Sequence, residues 1–305
     1  MGGAGAPGRM GIVGSNAAFY LEARRGGVTF ARTLTLGRQR LYVTAGELRS
    51  LADTYRPERR AASGALEYAG PADDFLRQFL DVEDLRALDH SAYEGAALVH
   101  DLNQPLPSSL HAAFDAVIDA GTLEHVFNFP VAVASCMEMV RPGGRLFIAS
   151  PANNMCGHGF YQFSPELFFR LFDAANGFAL ERLVLVTHPF PGAELSTRQT
   201  WYEVTDPAAA GTRASLMTPT PAFLMVQARR TASAPISRIA LQQSDYVARW
   251  QAASDPAPRG AWRARLAAIA GRLPPPVRNA AIGWYQRAFA CTLRNRRLFR
   301  PIDRS

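Results

Sequence analysis

A chain of 305 residues with 48% hydrophobic and 19% charged residues has the composition of a soluble globular protein, with one large domain plus appendages or two domains. It contains no lysine, so all 33 basic residues are arginine; this excludes a Walker A loop and the Schiff-base, pyridoxal and biotin chemistries that require an amine. Charge is lopsided: from Arg229 onward 15 Arg minus 3 Asp give +12, which leaves −5 of the total +7 for residues 1–228.

No stretch reaches about 18 uninterrupted apolar residues, and the N-terminus lacks the ordered regions of a signal peptide, so a cytoplasmic protein is expected. Cys136, Cys156 and Cys291 are scattered without CxxC spacing. They are expected as free thiols, with neither a disulfide framework nor a metal site.

In chain order, the Gly-rich start reads as a mobile segment. Its Gly3-Ala4-Gly5-Ala6-Pro7-Gly8 is no dinucleotide fingerprint, because no strand precedes it and Pro7 spoils the turn. From Val28, "VTFARTLTLGRQRLYVTAGELRSL" predicts a short hairpin leading into a helix, so residues 1–64 read as an N-terminal extension. From Ala65 to about Arg230 apolar runs alternate with helical patterns, beginning with "ALEYAG", "DDFLRQFL" and "LRALD" and ending with "ALERLVLVTH" and "AFLMVQARR". That alternation predicts an α/β, doubly wound, mostly parallel sheet over 65–230. "RPGG" at Arg141–Gly144 ends a helix and opens a strand, and Ser164-Pro165-Glu166 is a helix start. Residues 231–305 read as an Arg-rich helical tail carrying Trp262, Trp284, Tyr285 and Phe289 and interrupted by "PPP" at 274–276. The tail is either a solvated extension or a contact for an anionic partner such as a phospholipid surface, nucleic acid or acidic glycan; it matches no specific nucleic-acid recognition motif.

Ligands of a doubly wound sheet lie at the carboxyl ends of its strands. Those ends are polar here: Asp89, then Asp101 to Asn103, then Asp119 to His125, then Ser150 to Asn154. The order and spacing resemble the class I S-adenosylmethionine-dependent methyltransferase family over roughly Ala65–Arg229, most specifically in "FDAVIDAGTLEHVFNFPVAVASCMEMVRPGGRLFIASPANN". The resemblance implies a Rossmann-like sheet, S-adenosyl-L-methionine as cofactor, and methyl transfer to an oxygen or nitrogen of a small-molecule or glycan-like acceptor. It puts Asp89 on the cofactor's ribose, Asp101 and Leu102 on the adenine, and Asp119, Ala120, Gly121 and Thr122 beside the ligand. Glu67 and Ala69 fall in the loop after the first strand, where the family has Glu-x-Gly-x-Gly-x-Gly and this chain has "LEYAGPADDF". Ala69, Pro71 and Asp73 stand there in place of glycines, so the alternative is a methyltransferase-fold binding or scaffold protein that has lost efficient cofactor binding.

Acceptor chemistry is expected in "GHGFYQFSPE". His158 is the candidate base, with Tyr161 and Gln162 to orient the acceptor and His125, next to Glu124, as the rival base. Each also has a plainer role: Asp119 as a carboxylate at a helix start, His125 as a first-turn residue, and the 157–166 loop as a cover whose aromatics pack on the sheet end.

Overall fold

The computed structural model describes residues 11–92, 95–188, 199–232, 241–254 and 273–303. The Gly3–Gly8 run and Trp262 lie outside the described residues. In chain order the strands are β1 (Gly11–Val13), β2 (Arg32–Leu36), β3 (Arg40–Tyr42), β4 (Asp84–Asp89), β5 (Leu98–Val99), β6 (Phe114–Asp119), β7 (Val140–Asn153), β8 (Phe178–Thr187), β9 (Thr200–Val204), β10 (Ala222–Arg230) and β11 (Phe299–Ile302). The helices are α1 (Gly14–Arg25), α2 (Ala45–Tyr55), α3 (Asp73–Leu80), α4 (Phe129–Met139), α5 (Pro165–Leu171), α6 (Pro207–Ala210), α7 (Ser244–Ser254) and α8 (Pro275–Tyr285).

The central sheet has the order β11-β9-β8-β10-β7-β6-β2-β4-β5, with β5 through β7 parallel and β10 antiparallel to both its neighbours. β1 and β3 form a separate parallel pair. The fold is therefore the α/β, mostly parallel, doubly wound sheet expected from the alternating pattern.

Strand alternation splits the core between the two faces of this sheet. Leu34, Leu36, Val117, Leu146 and Ile148 pack with Val133, Met137 and Phe168 of α4 and α5. Ala116, Ile118 and Phe147 face the other way, onto Phe19 and Tyr20 of α1 and Phe75 and Phe79 of α3. Local chemistry sets the helix starts. Thr44 and Glu47 cap α2 reciprocally, the Thr44 N–H donating to Glu47 Oε2 (2.7 Å) and the Glu47 N–H to Thr44 Oγ1 (3.3 Å). Ser164 Oγ accepts from the Glu166 N–H at 3.1 Å ahead of α5, with Pro165 in its first turn.

Four sequence expectations are corrected. The first sheet strand is not "ALEYAG": residues 65–70 form turns, while β2 lies between β6 and β4 in the middle of the sheet. The expected hairpin is absent, because β2 and β3 do not pair with each other; β3 pairs with β1. Residues 11–64 are consequently no extension, since α1, β2 and α2 supply core residues such as Phe19, Leu34 and Leu48. Nor is 231–305 a wholly separate helical tail: β11 extends the sheet against β9, with Leu298 and Phe299 buried. Cys136, Cys156 and Cys291 are free, and no helix among the described residues is long and apolar enough to cross a membrane.

Candidate functional site

The parallel strands β5, β4, β2 and β6 end side by side, so the segments that follow them share one edge of the sheet. The loop after the central β2 is Gly37-Arg38-Gln39, and Gly37 takes a positive φ of 69°. Its N–H donates to Leu88 O at 2.7 Å, next to Asp89, and Leu36 O accepts from Thr122 Oγ1 at 3.2 Å, beyond β6. Three strand ends are thereby tied together, by one backbone hydrogen bond and one from the Thr122 hydroxyl.

One half of this edge is acidic. Asp89 is half-buried and its Oδ1 accepts from the His90 N–H at 2.6 Å. Asp101 accepts at Oδ1 from the Asn103 backbone N–H and side-chain amide, both at 2.9 Å; these bonds, the backbone one foremost, hold its carboxyl below the ordinary range. Leu102 is buried against the core. Asn103 Oδ1 accepts from the Asn128 N–H (2.9 Å) and Asn103 O from the Asn128 side-chain amide (3.1 Å), which fastens this loop to the start of α4.

Asp119 ends β6 wholly buried. Its Oδ1 accepts from the Thr122 N–H at 2.8 Å and, more weakly, from the Leu123 N–H at 3.4 Å, closing the turn that carries Glu124 and His125. Burial, reinforced by the charge of Glu124, drives its carboxyl well above the usual carboxylate range. Asp119 therefore serves as the cap of that turn, and Ala120 and Gly121 form the wall of the adjoining cleft.

The other half of the edge carries histidine. Gly121 (φ 105°) turns the chain so that Glu124 points inward at 0% exposure. Glu124 O accepts from the N–H groups of Phe160 (2.8 Å) and Tyr161 (3.2 Å), which draws the 157–161 loop onto the turn. Gly159 makes that approach possible: its φ is 73°, and a Cβ there would sit 2.8 Å from Glu124 O. As a result His158 Nε2 lies 3.3 Å from Glu124 Oε1, and the His125 and His158 ring centroids are 5.2 Å apart. Buried His188, just past β8, meets Phe223 edge-on at 5.3 Å on the far wall. The cleft is closed by the N-terminal segment, through Gly11, Val13, Ser15 and Asn16.

His125 and His158 thus meet at one cleft with Ala120 and Gly121, whereas Asp89, Asp101 and Leu102 lie further along the same edge. Tyr161 does not join them: its hydroxyl donates to Phe127 O at 2.6 Å and its ring stacks on Phe163. Gln162 is likewise committed, accepting from the Met155 N–H at 2.8 Å. Glu67 and Ala69 are corrected in position. They belong to a turn packed on β3, where the Ala69 N–H donates to Leu41 O (2.7 Å), and they follow no sheet strand. The β1–α1 wall and His188 escaped the sequence reading. A histidine directly after the apolar run "LVLVT" was the one available signal.

No protein-family model matches the chain, and no curated protein sequence matches it. Many solved structures similar to it are class I S-adenosylmethionine-dependent methyltransferases. They include the Burkholderia thailandensis 1,6-didemethyltoxoflavin-N1-methyltransferase with bound 1,6-didemethyltoxoflavin and S-adenosylhomocysteine, at 17% identity over 72% of this chain and 78% of that one, TM-score 0.36. N-methyltransferase NodS from Bradyrhizobium japonicum, in complex with S-adenosylhomocysteine, is similar at 10% identity over 72% and 87%, TM-score 0.37. A methyltransferase from Thermotoga maritima is similar at 14% identity over 70% and 89%, TM-score 0.35.

The donor set at the acidic half suits an adenosine-bearing ligand. An ionised Asp89 only accepts hydrogen bonds and a ribose diol offers two donors, while Asp101 can accept from an exocyclic amine and the Leu102 N–H can donate to a ring nitrogen. The loop after β2 keeps a single glycine, and buried Gln39 turns its amide back onto Leu36 O (2.6 Å).

Proposed function

We propose that the protein is an S-adenosylmethionine-dependent methyltransferase acting on an oxygen or nitrogen of a small-molecule or glycan-like acceptor. The observation that carries this reading is the division of one sheet edge into an acidic half, at Asp89 and Asp101, and a histidine-lined cleft, with Asp119–Thr122 at the junction. When bound, the cofactor supplies an electrophilic methyl group on a sulfonium. Asp89, Asp101 and Leu102 hold its adenosine end, the backbone of Ala120 to Thr122 runs along it, and the β1–α1 segment shields the junction from water. The acceptor enters the cleft facing His125 and His158. Methyl transfer asks the protein mainly for alignment of the two reactants, which rigid strand ends provide.

A second reading, a binding or scaffold protein of the same fold, is favoured by Gln39, whose folded-back amide occupies the bend of the loop after β2. Calorimetric titration with S-adenosylmethionine and S-adenosylhomocysteine separates the two. The enzyme reading expects saturable binding, with about 2.7 kcal/mol of added stability at free ligand near 100 times Kd. No binding at millimolar ligand selects the scaffold.

For the basic C-terminal region we propose contact with an anionic phospholipid surface. α8 exposes Val277, Ile282, Trp284 and Tyr285 near Arg278 and, in the turn that follows it, Arg287, a pairing of apolar anchors with cations suited to that surface. Salt-sensitive sedimentation with anionic but not neutral vesicles is the expected result, and equal binding to both would reject it.

A further inference from the structure

We infer that Glu124, His125 and His158 form a binding site for a divalent transition-metal cation of the zinc or cobalt(II) class. One ligand atom from each residue lies within 4.8 Å of the other two. The 3.3 Å between Glu124 Oε1 and His158 Nε2 matches the edge of a tetrahedron, about 3.3 Å, drawn around a zinc ion with bonds of about 2.0–2.1 Å. Carboxylate plus two imidazoles is a donor set that such cations favour over magnesium or calcium.

Burial supplies the independent reason. Glu124 is 0% exposed, lines the cleft, and neither of its side-chain oxygens accepts a hydrogen bond from any described residue. Among the described residues that line the cleft there is no arginine. The nearest basic neighbour of Glu124 is the His158 ring, with Nε2 at 3.3 Å, and a carboxylate buried without hydrogen-bond donors is stabilised by a bound cation. The turn and the loop are held against each other by the N–H bonds of Phe160 and Tyr161 to Glu124 O, so the three ligands sit on two adjoining segments.

Three protein ligands leave a fourth position open towards the cleft, as in catalytic rather than structural zinc sites. Its use there rests on the methyltransferase reading: an acceptor hydroxyl bound at that position loses its proton to solvent more readily, and the resulting oxyanion is the nucleophile. The O–C bond then forms as the C–S bond breaks, with the electron pair passing to sulfur. The cation site itself does not depend on that reading.

The test titrates chelator-treated full-length protein with Co2+, followed by visible absorption, and then displaces it with Zn2+. One equivalent is expected. Loss of even an outer-shell partner commonly weakens a metal site about 10- to 100-fold, so His125→Ala and His158→Ala should each weaken Co2+ binding by about 100-fold or more. His111→Ala should match the wild type. Exposed His125 keeps the test independent of folding, and thermal melting of each apo variant checks it. Absence of Co2+ binding, or binding that survives both histidine substitutions, overturns the proposal. S-adenosylhomocysteine titration of the same metal-free protein is read separately: binding of Co2+ without S-adenosylhomocysteine rejects the methyltransferase reading and keeps the site, and the reverse rejects the site alone.

Discussion

His158 reaches within 3.3 Å of Glu124, across 34 positions of sequence, because Gly159 lets its own backbone lie against Glu124 O. A Cβ at residue 159 would meet that oxygen at 2.8 Å and would also have to adopt a φ of 73°. Gly159→Ala should therefore lift the 157–161 loop. We expect a stability loss of about 1–2 kcal/mol from the backbone conformation, more if the loop cannot move, with Co2+ affinity and turnover falling together. Equilibrium urea unfolding and Co2+ titration of the variant measure both. Unchanged affinity would show that the loop does not position His158.

Asp89 offers the corresponding test on the acidic half. It is half-buried at the end of β4, and its removal leaves the cores on both faces of the sheet untouched. Asp89→Ala should lose hydrogen bonds to the ribose, each worth about 1.5–3 kcal/mol, without lowering the melting temperature of the apoprotein. Wild-type affinity for S-adenosylhomocysteine in this variant would remove Asp89 from the site.

What could be read from the sequence, and what could not, follows from how each strand meets its surroundings. β6 and the "RLFIAS" stretch of β7 were legible as apolar runs, and α4 between them was marked by its helical pattern and by "RPGG". β2 was misread because "RTLTL" alternates like a half-exposed hairpin strand. In the fold both faces are buried, and the hydroxyls of Thr33 and Thr35 are satisfied locally by Phe30 O (2.6 Å) and Gly37 O (2.8 Å), so threonine serves as core. With β2 missed, the loop after the first sheet strand was sought at Glu67 and Ala69, whereas the loop after β2 turns at Gly37. The His125–His158 meeting was beyond reach for another reason. It depends on backbone hydrogen bonds from Phe160 and Tyr161 to Glu124 O, which no residue type announces.

Arg230, at the end of β10, is buried to 2% exposure and closes the far end of α4. Its Nη1 donates to Glu138 O (2.9 Å) and Val140 O (2.7 Å), and Nη2 pairs with Glu138 Oε2 at 3.2 Å. A cation there also opposes the negative end of the helix. Arg230→Met should cost about 3–5 kcal/mol, because it strands the Glu138 carboxylate and several carbonyls. Arg230→Lys should recover only part of that, since an ammonium cannot span the same fork. Urea midpoints lower than wild type with an unchanged m-value are expected for both, and a neutral Arg230→Met would refute this role.

Asp115, at the opposite end of β6 from the cleft, predicts how stability varies in acid. Burial works against its ionisation, but the Arg32 N–H (2.8 Å) and Nε (3.2 Å) and the Arg141 guanidinium outweigh it, holding its carboxyl below the ordinary range. A folded-state value depressed below the unfolded value of about 3.9 means that the unfolded chain binds the proton first as pH falls. The contribution of Asp115 is therefore complete above about pH 4–5 and disappears as pH drops towards its folded value. Asp115→Asn should be less stable than wild type at pH 7, yet lose less of its remaining stability below pH ~4. Urea unfolding of both proteins across that range is the measurement. Parallel stability curves would mean that Arg32 and Arg141 do not draw the proton from Asp115, and that the acid sensitivity of the fold originates elsewhere.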